Sequence, residues 1–196
     1  MAPTLPSLDA CSAQPPSVRD LIACRASLET PDQDENTPLL LATKHNSVAD
    51  VTLLLDYYAN VEACNRQGCN ALMLAAMNSS DRSGPLIDQL IRAKAKINKK
   101  NEQGKTPLMV AAYHSNHATV KKLLSAKANV NLSDKHGQTA LSLAAHHGST
   151  RVVKILLSAK ANVKAKDMQG KTALYWAVQF GDESCVSVLR AAGAKD

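Results

Sequence analysis

Histidine suits both metal binding and proton transfer near neutral pH, so the histidines of this sequence are the first candidates for chemistry. His45, His114 and His147 each follow the first of two apolar segments that recur along the chain. In stacked helical layers such equivalent positions lie about 10 Å apart. Two imidazoles at that separation cannot share a zinc ion, which needs each nitrogen at about 2 Å. We expect these side chains to face solvent or a partner. The six histidines are His45, His114, His117, His136, His146 and His147.

The cysteines show no metal-binding or disulfide framework. There are five, an odd number, and none has metal-ligand spacing together with histidine. Cys64 and Cys69 flank a predicted tight turn but lack a second pair, which favours reduced thiols over a zinc site. We therefore expect a cytosolic or nuclear protein that holds no metal. The five are Cys11, Cys24, Cys64, Cys69 and Cys185.

The patterns typical of enzymes are missing from the sequence. It has no nucleophile paired with a base, no paired carboxylates in an apolar setting and no glycine loop that would cradle a phosphate. Its glycines recur at predicted turns, where the backbone accounts for them. We predict a protein that is not an enzyme and needs no cofactor.

A repeated unit organises the chain. Residues 134–162 resemble the segments 33 residues before and after them, and the residue that precedes each first apolar run recurs at intervals of 33, 36, 33 and 33. A fixed period in this range is typical of stacked-repeat proteins. The marker residues are Thr37, Asn70, Thr106, Thr139 and Thr172.

The sequence of each unit predicts a turn, a short helix, a second turn and a longer helix. Gly137 provides the turn, and Thr139 is placed to cap the first helix. In the second helix Val152, Val153 and Leu156 form one apolar stripe. One unit alone has no layer against which to bury this stripe, so its stability must come from its neighbours.

The units share the pattern D-x-x-G-x-T-P/A-L-x-x-A-A/V, followed by V-x-x-L-L and A-N-V. This pattern resembles that of the ankyrin repeat family. The resemblance implies an all-α fold, an ankyrin-type helix-turn-helix solenoid with β-hairpin finger loops and a concave binding face. We expect a proline-rich, partly disordered lead-in at 1–16 and a single domain at 17–196. Within that domain we predict a degenerate cap at 17–31 and repeats at 32–64, 65–100, 101–133, 134–166 and 167–196.

Several positions depart from the family pattern. The histidine of the family's T-P-L-H motif is absent, so its hydrogen bond must be lost or replaced. Glycine after the second helix is kept at Gly193 alone, and each other residue there costs about 1 kcal/mol if the site is left-handed. The second repeat is three residues longer, and its loop at 77–85 should bulge. The non-glycine residues at these helix ends are Tyr58, Lys94, Lys127 and Lys160.

Charge separates the two halves of the chain. Residues 1–90 hold 5 Lys/Arg against 11 Asp/Glu, whereas residues 91–196 hold 18 against 6. The resemblance places many of the basic residues on fingers, beside polar and aromatic residues of the first helices. Such a surface suits a protein partner of acidic character. The predicted binding residues are Lys100, Lys105, Tyr113, His114, Lys135, His136, His146, His147, Lys166, Lys171, Tyr175 and Gln179.

Two alternatives remain for the basic half, namely nucleic acid and an anionic membrane surface. Clustered arginines, a recognition-helix pattern and aromatics interleaved on a sheet are all missing, which disfavours nucleic acid. No apolar run is long enough to span a membrane, and the start lacks a secretion signal pattern. We expect a cytoplasmic monomer, with a nuclear location as the alternative. Trp176 is predicted to join the core, and Phe180 is open to either the core or the surface.

Overall fold

A computed structural model describes residues 17–78 and 83–195. The predicted lead-in at 1–16 and residues 79–82 of the predicted bulging loop lie outside this part. Eleven helices follow one another in the described residues. They are α1 Val18–Ala23, α2 Pro38–Lys44, α3 Val48–Asp56, α4 Ala71–Met77, α5 Gly84–Arg92, α6 Pro107–Tyr113, α7 His117–Ser125, α8 Ala140–His146, α9 Thr150–Ser158, α10 Ala173–Gln179 and α11 Glu183–Ala191.

The helices pack in pairs, and the pairs stack in chain order. We number the pairs as repeats 1 to 5, from α2–α3 to α10–α11. Each first helix contacts the first helices of its neighbours, and each second helix contacts the second helices of its neighbours. The short helix α1 packs on α3 at the start of the array. The predicted all-α ankyrin-type solenoid is confirmed.

The first helices are short and rich in alanine because they are enclosed by neighbours. In α8 the residues Leu141, Ala144 and Ala145 are all buried, and small side chains allow adjacent layers to approach closely. Thr139 caps this helix by accepting a hydrogen bond from the Ser142 backbone N–H. The Ser142 hydroxyl in turn accepts from the Thr139 N–H at 2.9 Å. In repeat 4 this serine therefore occupies the place of the missing motif histidine and completes the cap.

The second helices bury one stripe each. A leucine at the same position of every second helix is fully buried, so the stripe runs through the whole array. At the start of α1, Ser17 and Asp20 form a capping box. The buried leucines are Leu54, Leu90, Leu123, Leu156 and Leu189.

The finger loops are joined to one another by backbone hydrogen bonds. The N–H of Lys135 donates to the carbonyl of Gln103 at 3.0 Å, and the N–H of Met168 donates to that of His136 at 2.9 Å. The fingers lie so close that a Cβ added to Gly104, whose φ is +78°, would stand 2.8 Å from the Lys135 nitrogen. A side chain at Gly104 is thus excluded both by its conformation and by the next finger.

The second residue after each second helix has a left-handed backbone, as expected from the glycine pattern. The φ angles are 62° at Tyr58, 62° at Lys94, 66° at Lys127 and 63° at Lys160, and Gly193 has 89°. Four of the five repeats therefore place a side chain where glycine is favoured.

Candidate functional site

The site is the surface formed by the fingers and first helices of repeats 3 to 5, which we call the basic face. Each finger is folded by an aspartate or asparagine whose side chain accepts backbone hydrogen bonds two and four residues later. Asp134 accepts from His136 and Gln138, and Asp167 accepts from Gln169 and Lys171. These bonds fix the backbone that carries the finger lysines.

The structure divides the twelve predicted residues into two rows. The first-helix row carries rings, of which Tyr113 and Tyr175 are 39% and 43% exposed. The finger row consists of Lys100, Lys105, Lys135, His136, Lys166 and Lys171, and the first-helix row of Tyr113, His114, His146, His147, Tyr175 and Gln179.

The rings of the first-helix row meet across repeat boundaries. His147 of repeat 4 lies 4.2 Å from Tyr113 of repeat 3 and 4.8 Å from His146, measured between ring centroids. His146 continues the series to Phe180 of repeat 5 at 4.3 Å. These edge-to-face contacts lie near the range that aromatic pairs prefer. We call this series, which also includes His114 and Trp176, the ring track.

An ammonium group stands at each end of the ring track. Lys105 Nζ lies 5.2 Å from the centroid of Tyr113. Lys171 Nζ lies 4.8 Å from the centroid of Tyr175 and 4.7 Å from that of Trp176. Contacts of this length are cation–π interactions, in which the negative face of the ring holds the cation.

Two of the histidines in the track favour their neutral form. Burial, followed by the positive charge of Lys105, holds the pKa of His114 below its ordinary value. Burial also lowers the pKa of His147, with His146, His114 and Lys105 adding to the effect. Both shifts favour the neutral imidazole, in which one ring nitrogen donates a hydrogen bond and the other accepts one.

Trp176 and Phe180 lie in the ring track beside His146, although the sequence prediction placed Trp176 in the core. Trp176 is half-buried, and its indole N–H donates to Asp167 Oδ2 at 3.1 Å. Phe180 is 55% exposed. The sequence does hold an indication of this position, because a buried indole N–H needs a hydrogen-bond partner and the neighbouring finger supplies a carboxylate.

Lys100 contributes to the scaffold. Its Nζ donates to the backbone carbonyl of Ser133 in the next finger at 2.7 Å. The predicted residue lies on the finger row, but its ammonium is already used to join two neighbouring fingers.

The corresponding surface of repeats 1 and 2 is built differently. Residues 32–46 and 65–78 contain no Phe, Tyr or Trp. Arg66 donates to the carbonyl of Gln33 at 2.6 Å and lies 3.8 Å from a carboxylate oxygen of Glu35. Its guanidinium is thus engaged within the chain.

The site offers little for metal or covalent chemistry. Within residues 17–78 and 83–195, no three His, Cys, Asp or Glu side chains group as metal ligands would. The thiol of Cys185 is buried beside Thr150 and Asp182, and burial raises its pKa to about 11. A thiol with that pKa is protonated at neutral pH and is a poor nucleophile.

Comparison with protein families identifies the architecture. A family model of ankyrin repeats matches three overlapping parts of the chain, residues 8–83, 77–167 and 117–196. The chain belongs to the ankyrin repeat family. Ankyrin repeats are generally protein–protein interaction modules, and proteins built from them are typically non-enzymatic. A search among curated proteins found no matching relative. In the described part of this ankyrin repeat protein, no helix is both long and apolar enough to cross a bilayer.

Proposed function

We propose that this chain is a non-enzymatic binding module that holds an acidic protein segment on its basic face. The observation that carries the proposal is the position of Lys105 and Lys171. Both ammonium groups lie against rings and, within the described residues, neither has a carboxylate partner. A partner carboxylate would complete the charge that the chain itself leaves unmatched.

The ring track supplies the second part of an interface. Exposed aromatic side chains bury large apolar areas on binding, and they carry much of the energy of protein interfaces. The surrounding lysines steer an acidic partner and set its orientation. The basic face therefore combines aromatic anchors with a positive rim.

Charge-driven binding of nucleic acid or of an anionic membrane is the second candidate, favoured by the charge of residues 91–196. The salt dependence of the binding affinity distinguishes this candidate from the first. Binding that rests on phosphate contacts weakens steeply as salt rises, whereas an interface with desolvated anchors keeps most of its affinity. Tight, salt-resistant and sequence-specific binding to duplex DNA would contradict the proposal.

The experiment compares two charge-matched double variants. Lys135→Glu with Lys171→Glu reverses charge on the basic face. Lys94→Glu with Lys160→Glu makes the same change at two exposed helix ends outside it. Each purified variant would be used to capture partners from cell extract, and association of the recovered partner would be measured by surface plasmon resonance at 50 and 200 mM salt.

We expect the basic-face variant to slow association by about tenfold or more at 50 mM salt, because two rim charges are reversed. The helix-end variant should bind as the natural protein does. Circular dichroism should show both variants folded. Equal effects of the two variants would show that net charge, and not this face, governs binding.

A further inference from the structure

The residue that immediately precedes the cap of each first helix forms a column along the fingers. Its members in repeats 1 to 5 are Asn36, Cys69, Lys105, Gln138 and Lys171. Lysine thus stands in repeats 3 and 5 of this column, with one uncharged residue between. The two lysines are equivalent in the repeat and 66 residues apart in the chain.

These two lysines differ from other lysines that lie between repeats. Lys99 is paired with Glu62, and Lys122 with Asp88. Among residues 17–78 and 83–195, by contrast, Lys105 and Lys171 have no carboxylate or hydrogen-bond partner for their ammonium groups. Each ammonium group is held against an aromatic ring instead. The ring fixes the position of the ammonium group but accepts none of its N–H bonds.

The ring track fills the interval between the two ammonium groups. It begins with Tyr113 under Lys105, passes through His147 and His146, and reaches Trp176 under Lys171. A partner segment that reached both lysines would therefore lie across rings. Apolar side chains between its two acidic groups would be buried there.

The spacing of repeats sets the length of that segment. Stacked helical layers lie about 10 Å apart, so two repeats span about 20 Å. An extended chain advances about 3.3 Å per residue, which makes this distance about six residues. Residues six apart point the same way in a β-strand, whose side chains repeat every two residues, and in a polyproline helix, which repeats every three.

We propose that the occupant of the basic face is an extended segment of a partner protein with acidic side chains six residues apart and apolar side chains between them. This inference rests on the proposed function and specifies its partner. One carboxylate binds Lys105 Nζ, the other binds Lys171 Nζ, and the intervening residues cover the ring track.

The test uses synthetic peptides and the full chain. One fluorescein-labelled peptide of seven residues carries glutamate at its first and seventh positions, with leucine and serine between. The second peptide has the same composition but carries glutamate at its first and fourth positions, so that its two glutamates span one repeat instead of two. Fluorescence anisotropy measures the dissociation constant of each peptide.

We expect the first peptide to bind about tenfold more tightly than the second, because both of its carboxylates reach a lysine at once. Lys105→Met and Lys171→Met should each abolish this preference, since methionine keeps an apolar chain without the charge. Lys160→Met, at an exposed helix end, should retain it. Circular dichroism would confirm that each variant is folded.

Equal affinity for the two peptides would overturn the inference, as would a preference that survives Lys105→Met. Such a result differs from failure of the proposed function. The charge-reversal variant of the basic face would still lose its captured partner if the face binds an acidic protein in another way.

Discussion

The finger and first-helix surface of repeats 1 and 2 can be compared with the basic face of repeats 3 to 5. The backbone is alike in both. The finger bond from Arg66 N–H to the Asp34 carbonyl, at 3.0 Å, matches the bond from Lys135 to Gln103. The exposed side chains differ. Repeats 1 and 2 pair Arg66 with Glu35, whereas the basic face sets its lysines against rings.

The comparison shows that the positions that build the scaffold are not the positions whose exposed side chains differ between the two regions. The buried leucines recur in every repeat, and a finger glycine recurs in repeats 2 to 5, because each layer must fit the next. Residues that point away from the stack are not limited in this way. They can be paired within the chain in one region and left for a partner in another.

The largest expected effect is a loss of stability. It tests whether repeats 1 and 2 belong to the same stack as repeats 3 to 5. Leu54→Ala in repeat 1 and Leu156→Ala in repeat 4 remove equivalent buried side chains, and each should lower the free energy of unfolding by about 2–5 kcal/mol. Denaturant unfolding followed by circular dichroism measures both. Met168→Ala, at a residue 77% exposed, is the control and should change stability by less than about 0.5 kcal/mol. A loss confined to Leu156→Ala would mean that repeat 1 is not part of the same cooperative stack.

A smaller change in stability concerns the residue that caps the first helix, which is asparagine in repeat 2 and threonine in repeat 4. Asn70 is fully buried and its Oδ1 caps α4, but its Nδ2 has no hydrogen-bond partner among the described residues. Asn70→Thr keeps the capping oxygen and removes the unsatisfied amide, so it should stabilise the protein by about 1 kcal/mol. The reciprocal change, Thr139→Asn, should destabilise it by a similar amount. A destabilised Asn70→Thr variant in thermal and denaturant unfolding would show that the amide is satisfied.

The left-handed helix ends should respond equally in both regions. Tyr58→Gly in repeat 1 and Lys160→Gly in repeat 4 should each stabilise the fold by about 0.5–1 kcal/mol, because glycine adopts a positive φ without a steric cost. Gly193→Lys in repeat 5 is the reverse change and should lower stability. Unfolding midpoints in urea measure all three. Opposite signs for the first two would show that local contacts, and not backbone conformation, decide these sites.

The smallest expected effect belongs to the basic face alone. Because the pKa values of His114 and His147 are lowered in the folded chain, the unfolded chain binds more protons below the ordinary histidine pKa of about 6.5. The stability linked to these two groups is present above that pH and is lost as pH falls through their folded values. The midpoint of urea unfolding should thus decrease from pH 7.5 to pH 5.5.

Removing the charge of Lys105 should reduce this pH dependence, since that charge contributes to both shifts. Lys105→Met is therefore expected to raise the two histidine pKa values, measured by nuclear magnetic resonance titration of the ring protons. Lys160→Met is the matched control and should leave them unchanged. Histidine pKa values that do not respond to Lys105→Met would assign the shifts to burial and to the neighbouring histidines.

The repeated features could be predicted from sequence because each is local. Thr139 as a cap, Gly137 in its turn, and the left-handed backbone at Lys160 all depend on residues within a few positions of one another. The buried stripe at Val152 and Leu156 follows from helical periodicity. Such short-range rules repeat with the period of the chain.

The contacts between repeats could not be predicted in the same way. The pairing of Tyr113 with His147 depends on how one helix is offset against the next, and the period alone does not give that offset. Lys100 was predicted to face a partner, and only the geometry of neighbouring fingers shows that it bonds to Ser133. Trp176 was assigned to the core from its equivalence with Leu143, yet a larger ring with an N–H donor turns toward Asp167.

The finger bonds all run in one direction, from the N–H of each finger to the carbonyl of the finger before it. The N–H of Met168 donates to the carbonyl of His136, and the N–H of the neighbouring Lys135 donates to the carbonyl of Gln103, so three consecutive fingers are linked through their backbones. A partner that contacted several finger tips would therefore meet one backbone-linked row, and not a set of independent loops.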